Sequence, residues 1–254
     1  MKSVIDKRPS DSEYTALRPF GPTIIKMRIP DNVQEILWAA FDKSDTAYDY
    51  NQHLAGNIKR EFELTQETLG TQGSAMFVDM LGDGGSCLYK ESIAQTWINL
   101  KDTLTTEHIQ MIEPQLEQMY LTVAIQSAWG NISVAGDFNP AHSHSEKISG
   151  VGYLKLPDNI EQEWQQEDHE PSVGMLSFID GRQQAMVSAN IRIKPQVGDI
   201  YFFPAWLLHS VAPFRSTGER WSFSFNMSVE NMNSDIILTD DQKFELQEIQ
   251  NAKD

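Results

Sequence analysis

The chain has 254 residues, with 36 acidic against 20 basic side chains and a net charge of −16, a balance that repels phosphate backbones and disfavours nucleic-acid binding. An apolar content of 40% and an aromatic content of 10% suit a globular protein with one large domain and a full core. The lone Cys87 excludes an internal disulfide, the polar N-terminus is no signal peptide, and no run of about eighteen apolar residues could span a bilayer, so a cytoplasmic protein is expected.

In chain order, residues 1–20 are polar and read as partly extended. Thr23-Ile-Ile-Lys-Met-Arg-Ile29 reads as a strand stopped by Pro30. Asp31 with Gln34 forms a capping-box pattern, and Val33, Ile36, Leu37, Ala40 and Phe41 follow helical spacing behind it. The stretch 46–86 is mixed, and Gly82-Asp-Gly-Gly85 predicts a loop. Residues 91–100 and 107–120 read as helical, the latter interrupted by Pro114.

From Leu121 the texture changes to short β-type runs at 121–127, 149–156, 174–179, 186–193, 199–203 and 221–227, punctuated by turn residues. Residues 158–172 read as an acidic surface loop and the tail after Asn231 as acidic, helical near its end. The expected organisation is a single domain over 1–254. A mixed helical N-terminal region, 1–120, packs on a β sandwich or barrel at 121–230, and an acidic tail follows at 231–254. Trp221-Ser-Phe-Ser-Phe225 alternates strictly, which suits a wall with aromatics on one face and Ser222 and Ser224 lining a polar interior.

Three of the six histidines fall in two places, Asn139-Pro-Ala-His-Ser-His144 and Phe203-Pro-Ala-Trp-Leu-Leu-His209. At strand spacing, His142 and His144 would point one way, and a third imidazole from a neighbouring strand would complete one face of a metal's shell. Three ligands on one face leave positions open for substrate or O₂, as in non-heme iron oxygenases. His53, His108 and His169 have no comparable company. Arg220 opens an alternating strand eleven residues after His209, with Ser222 on the same face. Its planar fork suits bidentate binding of a carboxylate. Tyr153 is a candidate either for hydrogen-bonding such a carboxylate ligand or for core packing, Asn131 and Asn226 are candidates for lining the pocket, and Trp206 would shield the metal or pack in the barrel.

Trp129-Gly-Asn131, His142-x-His144, Ser149-Gly-Val-Gly-Tyr-Leu154, Phe178-x-Asp-x-Arg182, Gly198-Asp through Phe203-Pro204 to His209-x-Val-x-Pro213, and Glu219-Arg-x-Ser through Asn226 together resemble the 2-oxoglutarate/Fe(II) oxygenase family. The resemblance covers about residues 120–228, with support from Phe20-Gly-Pro-Thr, and is to the branch found in marine bacteria and tailed phages. It implies a mainly β fold with helical additions, whose core at 121–230 is a double-stranded β-helix (jelly roll, cupin-like). It also implies Fe(II), 2-oxoglutarate as co-substrate, O₂, and hydroxylation of a protein, amino acid or small molecule in the cytoplasm, the host's if the chain is phage-encoded. The family's metal ligands fall on His142, His144 and His209, and its co-substrate anchor on Arg220 and Ser222. Most of the superfamily has His-x-Asp/Glu where this chain has His142-Ser-His144. Either His144 takes the carboxylate's place, the preferred reading, or Glu146 or Asp137 supplies the third ligand. Two alternatives stay open: a cupin-like metal enzyme without 2-oxoglutarate, and an inactive metal-binding jelly roll serving as an interaction domain. The prime substrate is unidentified, and a homodimer is left open.

Overall fold

A computed structural model describes residues 3–7, 13–19, 21–50, 56–101, 121–165, 172–181 and 189–232. The expected helix at 107–120, the first part of the run at 186–193, most of the acidic tail, Arg182, and His53, His108 and His169 lie outside these residues.

Among the described residues twelve strands form two antiparallel sheets. The larger has the order β1-β5-β12-β7-β10-β3-β2, with β4 also on β5. Its strands are β1 (Ser3–Lys7), β2 (Tyr14–Leu17), β3 (Ile24–Arg28), β4 (Arg60–Glu63), β5 (Leu121–Ser133), β7 (Ile148–Lys155), β10 (Asp199–Pro204) and β12 (Arg220–Met232). The smaller runs β6-β11-β8-β9, from β6 (Asn139–His142), β8 (Leu176–Ile179), β9 (Asn190–Ile193) and β11 (Leu208–Val211). The two sheets make a double-stranded β-helix, mainly β with helical additions, and the N-terminal region supplies four strands of the larger sheet as well as helices.

The α-helices among the described residues are α1 (Asp31–Asp42), α2 (Gln66–Leu69), α3 (Thr71–Lys101) and a short α4 (Ile160–Trp164). No described helix is long and apolar enough to cross a membrane. Helix α1 buries Val33, Leu37, Ala40 and Phe41 as its spacing requires, but its cap differs from expectation. Pro30 is the N-cap, and the Gln34 amide donates back to Ile29 O at 2.9 Å. Asp31 is therefore the first helical residue and cannot act as a side-chain cap. The expected surface loop at 158–172 contains α4, whose Ile160 is buried.

The expected loop at Gly82–Gly85 is instead the middle of α3. Phe77, Met80, Leu81 and Leu88 form a buried stripe, and Gly84 lies on it. A Cβ on Gly84 would sit 2.0 Å from Phe202 Cζ, and one on Gly85 would sit 2.5 Å from Met227 Cε. These glycines let the helix lie close on the sheet, which outweighs their low helix propensity.

Strand β12 divides the core. Trp221, Phe223, Phe225 and Met227 join the cluster beneath α1 and α3, where Phe41 stacks on Trp221 at 5.3 Å and Phe77 meets Phe223 edge-on at 5.5 Å. Each large side chain buried there contributes about 1.5–3 kcal/mol. Arg220, Ser222 and Ser224 alternate with these residues and so turn the other way, into the space between the sheets. A second cluster there holds Ile24, Val151, Tyr153, Phe178, Tyr201 and Phe203.

Candidate metal centre and carboxylate pocket

His142 ends β6 and His209 lies in β11, and the two are directly paired across the antiparallel ladder. His144 is not on the strand with His142, as the two-residue spacing suggested, but in the loop that follows. Its backbone N–H donates to Ala205 O at 2.8 Å, and Ala205 N–H donates to Lys147 O at 3.1 Å. These bonds tie the loop to the end of β10 and bring the third imidazole up to the other two. The three rings offer ligand nitrogens within 4.8 Å of one another.

The ring tautomers follow from the hydrogen bonds. His142 Nδ1 donates to Pro140 O at 2.7 Å and His209 Nδ1 donates to Leu207 O at 2.9 Å, because a carbonyl can only accept. In each ring Nε2 is therefore the nitrogen left to meet a metal. His144 Nε2 lies 3.3 Å from His209 Nε2, close to the spacing of two donors that share one cation at about 2 Å each. Burial, with a smaller push from His142, lowers His144 to about 4. Burial also lowers His209 to about 3, opposed by the Leu207 bond and aided by the other two imidazoles. Both are neutral at pH 7, the ligand form. Phe203 packs 4.8 Å and Phe178 6.5 Å from the His209 ring, and Trp129 lies 6.5 Å from His144, so the site is walled by aromatics.

Of the alternative third ligands, neither Glu146 nor Asp137 belongs to the converging group. Asp137 Oδ2 accepts instead from the backbone N–H groups of Lys59 at 2.7 Å and Val134 at 3.0 Å, fixing the turn after β5. The donor set fits a first-row divalent cation such as Fe(II), held on one face by three imidazoles.

A polar row crosses the larger sheet on its interior face. Ser222 is paired with Asn131 of β5 on one side and Tyr153 of β7 on the other, and all three are buried. Arg220 is only 3% exposed, and no described carboxylate lies within 4 Å of it. Its Nη2 donates to Ser133 Oγ at 3.1 Å and its Nη1 to Gly174 O at 3.4 Å, while its Nε has no partner. The Tyr153 hydroxyl, 1% exposed, also lacks a partner. Burial pushes that phenol up to about 12, against the opposing pull of Arg220, so it remains a donor. Asn131 Nδ2 donates to Ser224 Oγ at 3.2 Å, and its Oδ1 is unpartnered. Unsatisfied buried polar atoms are rare, and a buried cation beside two free donors is the complement of an anion.

Asn226 is engaged in structure, accepting from Ser149 Oγ at 2.8 Å and donating to Ser127 Oγ at 3.3 Å. Trp206 is 62% exposed and does not pack in the barrel, because it occupies the turn between β10 and β11. Two residues were missed in sequence: Ser133 and Glu61, the latter 4% exposed on β4 opposite Asn131. Period-two alternation continues along β5 through Ser127, Trp129, Asn131 and Ser133, and following it past Ser127 would have exposed Ser133. Burial, then Asp49 and Asp137, pushes Glu61 up to about 7.

Residues 127–226 match the model of the family described as "Putative 2OG-Fe(II) oxygenase", a span that holds all three histidines, Arg220 and Ser222. In this span the chain is similar to that family. No curated protein matches the chain. Among solved structures it is similar to a prolyl-4-hydroxylase from Pseudomonas putida, with 12% identity over 87% of this chain and 95% of that chain and a TM-score of 0.44. It is also similar to a prolyl hydroxylase from Trichoplax adhaerens in complex with a hypoxia inducible factor peptide fragment, with 10% identity, 86% and 84% coverage and a TM-score of 0.46. A third is HygX from Streptomyces hygroscopicus with nickel, 2-oxoglutarate and hygromycin B bound, with 8% identity, 82% and 83% coverage and a TM-score of 0.46. At these scores the likenesses carry no argument about what this chain acts on.

Proposed function

We propose that the protein is a 2-oxoglutarate- and Fe(II)-dependent dioxygenase whose metal is held by His142, His144 and His209. Arg220 grips the distal carboxylate of 2-oxoglutarate, assisted by Tyr153 and Ser222, with Asn131 lining the pocket. The observation that carries this reading is the buried, carboxylate-free Arg220 in the same inter-sheet space as three convergent imidazoles. Fe(II), when bound, supplies the redox chemistry that couples oxidative decarboxylation of 2-oxoglutarate, with O₂, to hydroxylation of a C–H bond.

The protein's share is orientation and exclusion of water. Pro140 O and Leu207 O hold the His142 and His209 rings with their Nε2 atoms inward. Phe178 and Phe203 keep the His209 side dry. Arg220, with no counter-ion in contact, gains a charge-assisted bond when the carboxylate enters. The prime substrate is a protein segment, amino acid or small molecule, and the reading is of one domain over 1–254, catalytic at 121–230, acting in the cytoplasm.

The test is uncoupled turnover. Incubation with Fe(II), O₂, ascorbate and 2-oxoglutarate should yield succinate from wild type and none from His209→Ala. Absence of both succinate and 2-oxoglutarate binding would defeat the reading and favour an inactive metal-binding domain.

A further inference from the structure

A guanidinium has five N–H bonds in one plane, and which of them face a ligand depends on which are already spent. In Arg220, Nη2 donates to Ser133 Oγ at 3.1 Å and Nη1 donates to Gly174 O at 3.4 Å. The Phe214 ring lies 5.6 Å from Cζ and covers the guanidinium. Nε alone among the three nitrogens has no partner. Ser133 is fully buried and is the residue directly opposite Arg220 in the β5–β12 pair, so its hydroxyl is held by the sheet rather than by a mobile loop. Gly174 is held in turn by its N–H bond to Pro213 O at 3.0 Å.

We propose that Ser133 is a positioning residue that, with the Gly174 carbonyl, clamps the Arg220 guanidinium so that its Nε side, with the Tyr153 hydroxyl, is presented to a carboxylate. This rests on the reading that Arg220 receives 2-oxoglutarate. Arginine carries much rotamer freedom, and a free arginine would have to be ordered each time the co-substrate binds. The clamp orders it beforehand. Ser133 touches neither metal nor co-substrate in this role and acts only through Arg220.

The experiment is anaerobic calorimetry of 2-oxoglutarate binding to the Fe(II)-loaded protein, in a double-mutant cycle of Ser133→Ala and Arg220→Lys. Ser133→Ala should weaken binding about threefold to tenfold, the effect of leaving one long side chain unordered. Its metal affinity should match wild type. In uncoupled succinate formation, KM for 2-oxoglutarate should rise while kcat changes much less. On the Arg220→Lys background the effect of Ser133→Ala should disappear, because lysine has no fork to be clamped; a general packing role would persist there. Equal binding by wild type and Ser133→Ala, or effects that simply add, would overturn the proposal. If wild type itself binds no 2-oxoglutarate, the functional reading fails instead, which separates the two. Should Ser133→Ala not fold, Ser133→Cys keeps the volume with a much weaker acceptor and gives the same reading.

Discussion

His142 and His209 face each other across the β6–β11 pair with ring centroids 4.3 Å apart, and each donates its Nδ1 proton to the carbonyl two residues before it in the chain. The same local device thus fixes both tautomers, and neither ring depends on a distant partner for its orientation. Loss of a supporting partner alone typically weakens metal binding about 10–100-fold. Replacing His142, His144 or His209 singly by Ala should therefore lower Fe(II) affinity by more than about 100-fold, measured by anaerobic equilibrium dialysis. Glu146→Ala should leave it unchanged, as should His53→Ala, His108→Ala and His169→Ala. Full affinity in His144→Ala with loss in Glu146→Ala would reassign the third ligand.

Arg220→Lys keeps the charge and loses the planar fork. Loss of a charge-assisted hydrogen bond is worth about 1.5–3 kcal/mol, so 2-oxoglutarate should bind roughly 10–100-fold more weakly. Metal affinity should be preserved. Calorimetry of the metal-loaded variant tests this, and unchanged co-substrate affinity would move the anchor elsewhere.

Glu61 sets a pH dependence of stability. Its folded-state pKa is raised to about 7 from the usual carboxylate value, mainly by burial. Between those values the folded state binds more protons than the unfolded state, so this group's contribution is fully present below about 4.5 and is lost as pH rises through about 7. One such proton changes stability by up to about 1.4 kcal/mol per pH unit. Glu61→Gln should be more stable than wild type at pH 8, with the advantage shrinking towards pH 5, in urea melts of the metal-free protein. An advantage that grows as pH falls would have the wrong sign.

Gly84→Ala tests the close approach of α3. In an exposed helix this change stabilises by about 1 kcal/mol. Here the new methyl would lie 2.0 Å from the buried ring of Phe202, so overpacking should destabilise the protein by about 1–3 kcal/mol. A raised melting temperature would mean that helix and sheet can part more easily than this packing allows.

The jelly-roll strands were legible where apolar and polar residues alternate or turns are marked by Gly and Pro, as in β7, β10 and β12. Strand β6 was hidden because Asn139-Pro-Ala-His142 carries no β-type pattern and is held mainly by pairing with β11. The glycines of α3 read as a loop because sequence cannot distinguish a glycine that frees the backbone from one that admits a neighbouring ring. The convergence of the three histidines was legible from spacing, although for a partly wrong reason: His144 is placed by its backbone bond to Ala205 and not by strand alternation. Ser133 and Glu61 become visible only once β5 is paired with β12 and β4, because their roles depend on cross-strand register.

The most direct test of the central claim is anaerobic titration of the Fe(II)-loaded protein with 2-oxoglutarate, followed by visible absorption. The proposed three-imidazole centre and the proposed Arg220 anchor predict a weak metal-to-ligand charge-transfer band that saturates at an equimolar amount of 2-oxoglutarate. It should be absent in His209→Ala and need far more co-substrate in Arg220→Lys. A wild-type protein that binds Fe(II) yet shows neither the band nor calorimetric binding of 2-oxoglutarate would contradict the account.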